Sequence, residues 1–146
     1  EGFSRMLGER HADGLDATGR DYLDRVRKGT ARMGELIDAL HERHFRIAVE
    51  TNGTIKVPEG IDWICVSPKA GAPLIQTHGH ELKLVFPQPD LMPDALPWQT
   101  LRFEHYLLQP MDGPNAARTT VAAVAYCQDH PQWRLSVQTH KMLGIR

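Results

Sequence analysis

A change of period near Phe45 limits what this chain can fold into. Before it, Leu23, Val26, Thr30, Met33, Ile37, Leu40 and His44 recur at alternating spacings of three and four. That is a heptad seam, apolar apart from Thr30 and His44, and it suits a helical hairpin or a two-helix contact. Arg20, Asp21, Asp24, Arg25, Arg27, Lys28 and Arg32 fill the remaining positions. His11-Ala12-Asp13-Gly14 reads as a turn between a short first helix and this longer one, with Asp16 or Thr18 as N-cap. Gly19, Gly29 and Gly34 weaken the helix, each by about 1 kcal/mol relative to alanine.

After Phe45 short β-branched runs alternate with Gly/Pro-rich turns. Strands are expected at Arg46–Glu50, Trp63–Val66, Glu81–Phe86, Tyr106–Gln109 and Arg134–Val137. Ala116–His130 carries a helical pattern, with Val121, Val124 and Ala125 on one face. A helix between two such strands is a βα-type unit, so the fold class is α/β with at least partly parallel strands. Pro87–Thr100, rich in Pro and Asp, is expected as a surface loop, and His78-Gly79-His80 as a turn.

Composition excludes several classes of function. The 146 residues, 41% apolar and 24% charged, suffice for one soluble domain with a hydrophobic core. A formal net charge of −1 gives no field to recruit nucleic acid or an anionic membrane. No apolar run approaches the roughly 20 residues that span a bilayer. Two cysteines, Cys65 and Cys127, are too few and too far apart for a disulfide scaffold, so a cytoplasmic location is the default. Both are expected as small buried hydrophobes. The start, Glu1-Gly2-Phe3-Ser4-Arg5, has neither a signal pattern nor a methionine, which suggests a fragment.

Several strand ends carry chemistry. Ser67-Pro68-Lys69 follows an apolar strand directly, offering a hydroxyl and a cation for a carboxylate or ribose oxygen. Read alone, it is an ordinary strand-to-loop turn with a solvated lysine. Pro110, lacking an N–H, is expected to stop its strand and force a turn. This would leave backbone groups and the adaptable Met111 free to meet a flat apolar ligand. Asn52-Gly53 is a turn signal in its own right, so Glu50, Thr51 and Asn52 suit structure as well as ligand contact. His41 and His44 share a helix face but lack further ligands for a metal.

Four strings occur in an informative order. They are Ile47-Ala48-Val49-Glu50-Thr51-Asn52-Gly53-Thr54, Ile61-Asp62-Trp63-Ile64-Cys65-Val66-Ser67-Pro68-Lys69, Leu108-Gln109-Pro110-Met111-Asp112-Gly113-Pro114 and Trp133-Arg134-Leu135-Ser136-Val137-Gln138-Thr139-His140-Lys141. Together they make residues 36–146 resemble the C-terminal half of the 7-carboxy-7-deazaguanine synthase family of radical S-adenosylmethionine (SAM) enzymes. The resemblance implies the C-terminal portion of an incomplete (β/α) barrel, and a homodimer. It implies a radical ring contraction of 6-carboxy-5,6,7,8-tetrahydropterin with loss of ammonia, in queuosine and related deazapurine biosynthesis. The implied cofactors are SAM, a 4Fe–4S cluster held by three thiolates, and Mg2+. By motif match it places SAM contacts on Ser67, Pro68, Lys69, Gln109, Pro110, Met111 and Asp112. Substrate contacts fall on His140 and on the C-terminal residue, here Arg146 where the family commonly has proline.

Residues 1–40 resemble instead the dimerisation helices of a sensor histidine kinase. That resemblance runs from Gly2-Phe3-Ser4 through Gly19-Arg20-Asp21-Tyr22-Leu23 to Arg32-Met33-Gly34-Glu35-Leu36-Ile37-Asp38-Ala39-Leu40. It begins after that family's phosphoacceptor histidine, which His11 does not match. Leu36–Leu40 fits both families, so the expected layout is a hairpin over 1–35 joined to a partial synthase domain over 36–146. Such a join implies a splice of two genes at a shared helical word, natural or produced by sequence assembly. The synthase family's cluster cysteines and magnesium-ligating threonine have no counterpart in residues 1–35. The chain alone is therefore expected to be inactive, with no catalytic residue and no metal ligand assigned. The alternatives are a helical dimerisation module, or a non-functional chimera.

Overall fold

The computed structural model describes residues 14–145, which fall into two units dividing between Ile47 and Ala48. The first helix of the expected hairpin, its turn at His11–Asp13 and Arg146 lie outside the described residues. In the first unit, α1 runs from Ala17 to Glu42. Asp16 is its N-cap, and its carboxylate accepts from the Gly19 N–H at 2.7 Å. Arg25 pairs with Asp21 at 2.9 Å and Lys28 with Asp24 at 2.7 Å, one turn apart on the exposed face. Such pairs add about 0.3–0.5 kcal/mol each. The helix runs unbroken through residues 35 and 36. It stops short of His44, whose φ of 61° takes the chain out of the helix, so His41 and His44 do not share a helix face. The last turn closes with the Phe45 N–H donating to the Leu40 carbonyl.

The second unit is built on β1 (Ala48–Thr51), β2 (Trp63–Val66), β3 (His78–Phe86), β4 (Arg102–Pro110) and β5 (Trp133–Leu135). These pair in the order β1-β2-β3-β4-β5, every neighbour parallel. Of the crossovers only β4-to-β5 carries an α-helix, α2 (Ala116–Asp129). A short helix, α3 (Thr139–Met142), follows β5.

One face of the sheet carries the core. Val66, Leu82, Leu84, Phe86 and Leu108 alternate inward from β2, β3 and β4, and Trp133 joins them from β5. Their cover comes from Ala123 on α2 and from Leu96 and Leu101 in the segment after β3. That segment is therefore more than a surface loop. Its two 3-10 turns, Pro93–Ala95 and Trp98–Thr100, set buried Pro93 and Leu96 over the sheet where a crossover helix would otherwise lie. Trp98, Tyr106 and Trp133 pack ring against ring with centroids 5.2–5.8 Å apart.

β3 and β4 extend furthest beyond the expected bounds, whereas β1 and β5 are each shifted by one or two residues. His78-Gly79-His80 begins β3 rather than forming a turn, because His78 and Gly79 register with Arg102 and Phe103 of β4. Pro110 ends β4 inside the ladder, opposite Phe86, and the Met111 N–H still donates to the Phe86 carbonyl at 2.7 Å. A proline at a strand's last residue costs only a hydrogen bond that this position does not make. On α2 the buried residue is Ala123, while Val121 is 71% exposed. The small side chain lets the helix approach the sheet, which a β-branched residue at that contact would prevent.

Candidate functional site

Because all five strands are parallel, their C-terminal ends share one edge. The Glu50–Asn52, Ser67–Lys69 and Gln109–Asp112 segments and the stretch before His140 all lie there. Ligands of parallel α/β sheets sit beyond that edge, where the chain leaves the ladder with free backbone groups.

At the end of β1, Asn52 folds the chain back on itself. Its side-chain oxygen accepts from the Thr54 N–H at 3.1 Å and the Thr54 hydroxyl at 2.8 Å. The Gly53 N–H donates to the Thr51 hydroxyl at 3.2 Å. Gly53 has a φ of 79°, and a Cβ there would lie 2.8 Å from both Leu74 and Val66. Its carbonyl accepts from the Ile75 and Gln76 N–H groups at 2.8 and 2.9 Å. Asn52 and Gly53 are thus committed to the turn. Glu50 remains 58% exposed and pairs with Lys83 of β3 at 2.7 Å, across β2. Lys83 keeps only 17% of its side chain exposed.

Ser67 is buried directly after β2, and its N–H donates to the Thr51 carbonyl at 2.7 Å. Its hydroxyl accepts from the Lys69 ammonium at 3.0 Å. Lys69 is exposed, so the cation is set at the edge without being fixed to a carboxylate. The following turn is held by Gln88, whose side-chain oxygen accepts from the Ala70 N–H at 2.9 Å. Cys65, one residue inside the strand, is 6% exposed. Desolvation, then a hydrogen bond to Glu81, push its thiol from 9.0 up to about 12. Burial thus disfavours the thiolate that nucleophilic attack or metal binding requires.

Beyond β4, the Met111 carbonyl accepts from the Thr119 hydroxyl at 2.7 Å, tying the motif to the first turn of α2. Asp112 pairs with Lys141 on α3. That hydrogen bond, with a further one from the Gly113 backbone, holds the exposed Asp112 carboxyl below its ordinary value. Two cavities flank the loop. One, of about 190 Å³, lies between Pro110-Met111-Asp112 and Val137, Gln138, Lys141 and Met142. The other, of about 440 Å³, is bounded by Pro87, Pro89, Met92, Met111, Asp112 and Pro114. Both share Met111 and Asp112.

The structure therefore brings Pro110, Met111 and Asp112 to cavities, and Ser67, Pro68 and Lys69 to the same sheet edge. Neither cavity is lined by Ser67, Pro68 or Lys69. Gln109 is half-buried on β4, and His140 is exposed on α3. Cys127 lies half-buried on α2 rather than fully buried. Among the described residues no group of three or more His, Cys, Asp or Glu could hold a metal ion. No described helix is long and apolar enough to cross a membrane. A third cavity, of about 500 Å³, lies among His78, His80, Arg102 and Glu104 at the opposite edge.

Sequence reasoning missed Lys83, Gln76 and Lys141. The alternation Glu81-Leu82-Lys83-Leu84 does mark Lys83 as facing away from the core. Gln76 is 2% exposed, where it accepts from the Val57 N–H and donates to the His78 carbonyl. No sequence pattern signals that role.

No family model matches the chain. Curated relatives do. The 7-carboxy-7-deazaguanine synthase of Caulobacter vibrioides is 65% identical over 109 residues, covering 75% of this chain and 51% of the relative. That of Bradyrhizobium diazoefficiens is 62% identical over 111 residues, covering 76% and 52%. The Bordetella pertussis protein of the same name is 61% identical over 110 residues, covering 75% and 51%. The chain spans about half the length of the curated relatives it matches. Over three quarters of its own length, it resembles the 7-carboxy-7-deazaguanine synthase family.

Proposed function

We propose that residues 36–146 form the SAM-binding part of a 7-carboxy-7-deazaguanine synthase, and that the chain by itself does not catalyse the ring contraction. One observation carries the first half. The Ser67-Pro68-Lys69 and Gln109-Pro110-Met111-Asp112 motifs leave the same edge of a parallel sheet, with β3 between them. Strands two apart are about 10 Å from one another, which suits a cofactor with a charged amino-acid end and a flat base. Lys69 supplies a cation for the carboxylate. Met111, backed by Pro110, supplies apolar surface for the ring. Asp112 supplies an acceptor, and Thr119 holds the Met111 backbone in place. His140, on the short helix that Lys141 ties to Asp112, is assigned to the carboxytetrahydropterin, together with Arg146.

The Lys69 cation and the Met111 surface suit SAM, whereas two cysteines do not suit the 4Fe–4S cluster that the family name implies. A 4Fe–4S cluster needs three thiolates. The chain has two cysteines, one in β2 with its thiol at about 12, the other on α2. Mg2+ takes oxygen ligands, and none is assigned to it among the described residues. No step of the reaction is therefore assigned to this chain's residues. The radical SAM barrel as the parent architecture, a homodimer and a cytoplasmic location belong to the same reading. The kinase-type dimerisation module is not favoured, since the relatives account for three quarters of the chain.

Binding of SAM to the full chain, measured by calorimetry, tests the site. Saturable binding that weakens about tenfold in Lys69→Ala supports it, and a folded chain that binds equally well with and without Lys69 contradicts it. The inactivity has its own test. Anaerobic reconstitution with iron and sulfide is expected to leave no cluster absorbance and no SAM cleavage, and either signal would overturn it.

A further inference from the structure

We propose that Lys141 is a positioning residue of the candidate site. Its ion pair with Asp112 holds the segment after β5 as the movable wall of the cavity beside Met111, so that filling that cavity and ordering that segment favour each other. SAM as the ligand rests on the synthase reading, whereas the latch itself rests on the contacts of the free chain.

The helix α3, Thr139–Met142, has four residues. Isolated helices shorter than about 12 residues are marginal in water, so α3 persists by leaning on something else. Backbone bonding does not supply that support. The Ser136 N–H donates to the Leu108 carbonyl of β4 at 2.9 Å, and beyond it the Thr139, Lys141, Met142, Leu143 and Ile145 N–H groups donate within the segment. Burial does not supply it either, since Met142, Leu143 and Ile145 are all exposed. Among the described residues, the polar side-chain contact that joins the segment to the rest of its unit is that of Lys141 with Asp112.

The far side of that pair is fixed. The Met111 N–H donates to the Phe86 carbonyl, and the Met111 carbonyl accepts from the Thr119 hydroxyl, both at 2.7 Å. Asp112 therefore extends from a loop held by β3 and by α2. Between this held loop and the loosely held helix lies the cavity of about 190 Å³, with Pro110, Met111 and Asp112 on one side and Gln138, Lys141 and Met142 on the other. One side of its wall thus depends on where α3 sits. A ligand that fills the cavity touches both sides and favours the seated helix. By the same linkage a seated helix raises affinity for the ligand. Seating the helix also seats His140, one residue before the latch. Both side chains of the pair are about half exposed, so salt screens it and its loss shifts the equilibrium by only about two- to fivefold.

Amide exchange of the full chain, followed residue by residue by NMR, tests the latch without any ligand. Lys141→Met keeps the aliphatic stem and removes the charge. It should speed exchange at Leu143 and Ile145 about two- to fivefold while β3 and β4 stay protected, and Lys141→Arg should restore the original rates. Added salt should reproduce the effect in the unsubstituted chain and do little in Lys141→Met, a signature that altered side-chain shape alone would not give. Titration with SAM then tests the coupling. Leu143 and Ile145 should gain protection on binding, and affinity should fall about two- to fivefold in Lys141→Met. Unchanged exchange in Lys141→Met, no restoration by Lys141→Arg, or SAM affinity equal or higher in Lys141→Met would overturn the inference. Should Lys141→Met loosen β3 and β4, the salt response of the unsubstituted chain decides. A chain with the salt-sensitive latch that binds no SAM contradicts the SAM reading and upholds the latch. A chain that binds SAM with no response at Leu143 and Ile145 contradicts the latch alone.

Discussion

Gly53 shows most sharply how one residue fixes the candidate edge. Its positive φ suits glycine, and Leu74 and Val66 occupy the space a side chain would need. Gly53→Ala should therefore cost about 1–3 kcal/mol, read as a lower denaturant midpoint with the slope unchanged. An unchanged midpoint would mean that the turn relaxes freely. The sequence pair Asn52-Gly53 already announced a turn, and the Asn52 and Thr54 hydrogen bonds bear that out. The partners of Gly53 were not legible, because Leu74 and Gln76 come from a distant loop without periodicity. Lys69 was legible as a cation at a strand end, whereas its hold on the Ser67 hydroxyl needed coordinates.

Elements were legible where one period ran long enough. The heptad seam placed α1 because local spacing decides it, and of the two caps the sequence offered, Asp16 and Thr18, the structure uses Asp16. Strand centres were found for the same reason, as were both ends of β2, while the starts of β3 and β4 were not. His78 and Pro110 belong to β3 and β4 only through pairing with Arg102 and Phe86 of the facing strand, a long-range effect that no local rule records. The face of α2 was misread because apolar volume drew attention to Val121, whereas close packing selects Ala123. The longest ladder, β3 with β4, holds the centre of the core, and Leu108 is fully buried there. Leu108→Ala should destabilise the fold by about 2–5 kcal/mol, measured by chemical denaturation. An effect below 1 kcal/mol would place the core elsewhere.

At the scale of the molecule, sequence alone pointed to the synthase family, and the relatives bear that out over three quarters of the chain. The α/β class and its parallel strands followed from the alternation of runs and turns. That the sheet would be wholly parallel, in strict chain order, did not. Order depends on which crossovers cover the core, and here a 3-10 segment replaces a helix. A parallel sheet in this order gathers both motifs at one edge, and the proposed function depends on that gathering. Amide shifts of the isotope-labelled chain titrated with SAM test it most directly. The account predicts saturable shifts at Ser67, Lys69, Met111 and Asp112, with the His78–Arg102 edge unmoved. Shifts confined to that opposite edge, or none in a folded chain, would contradict it.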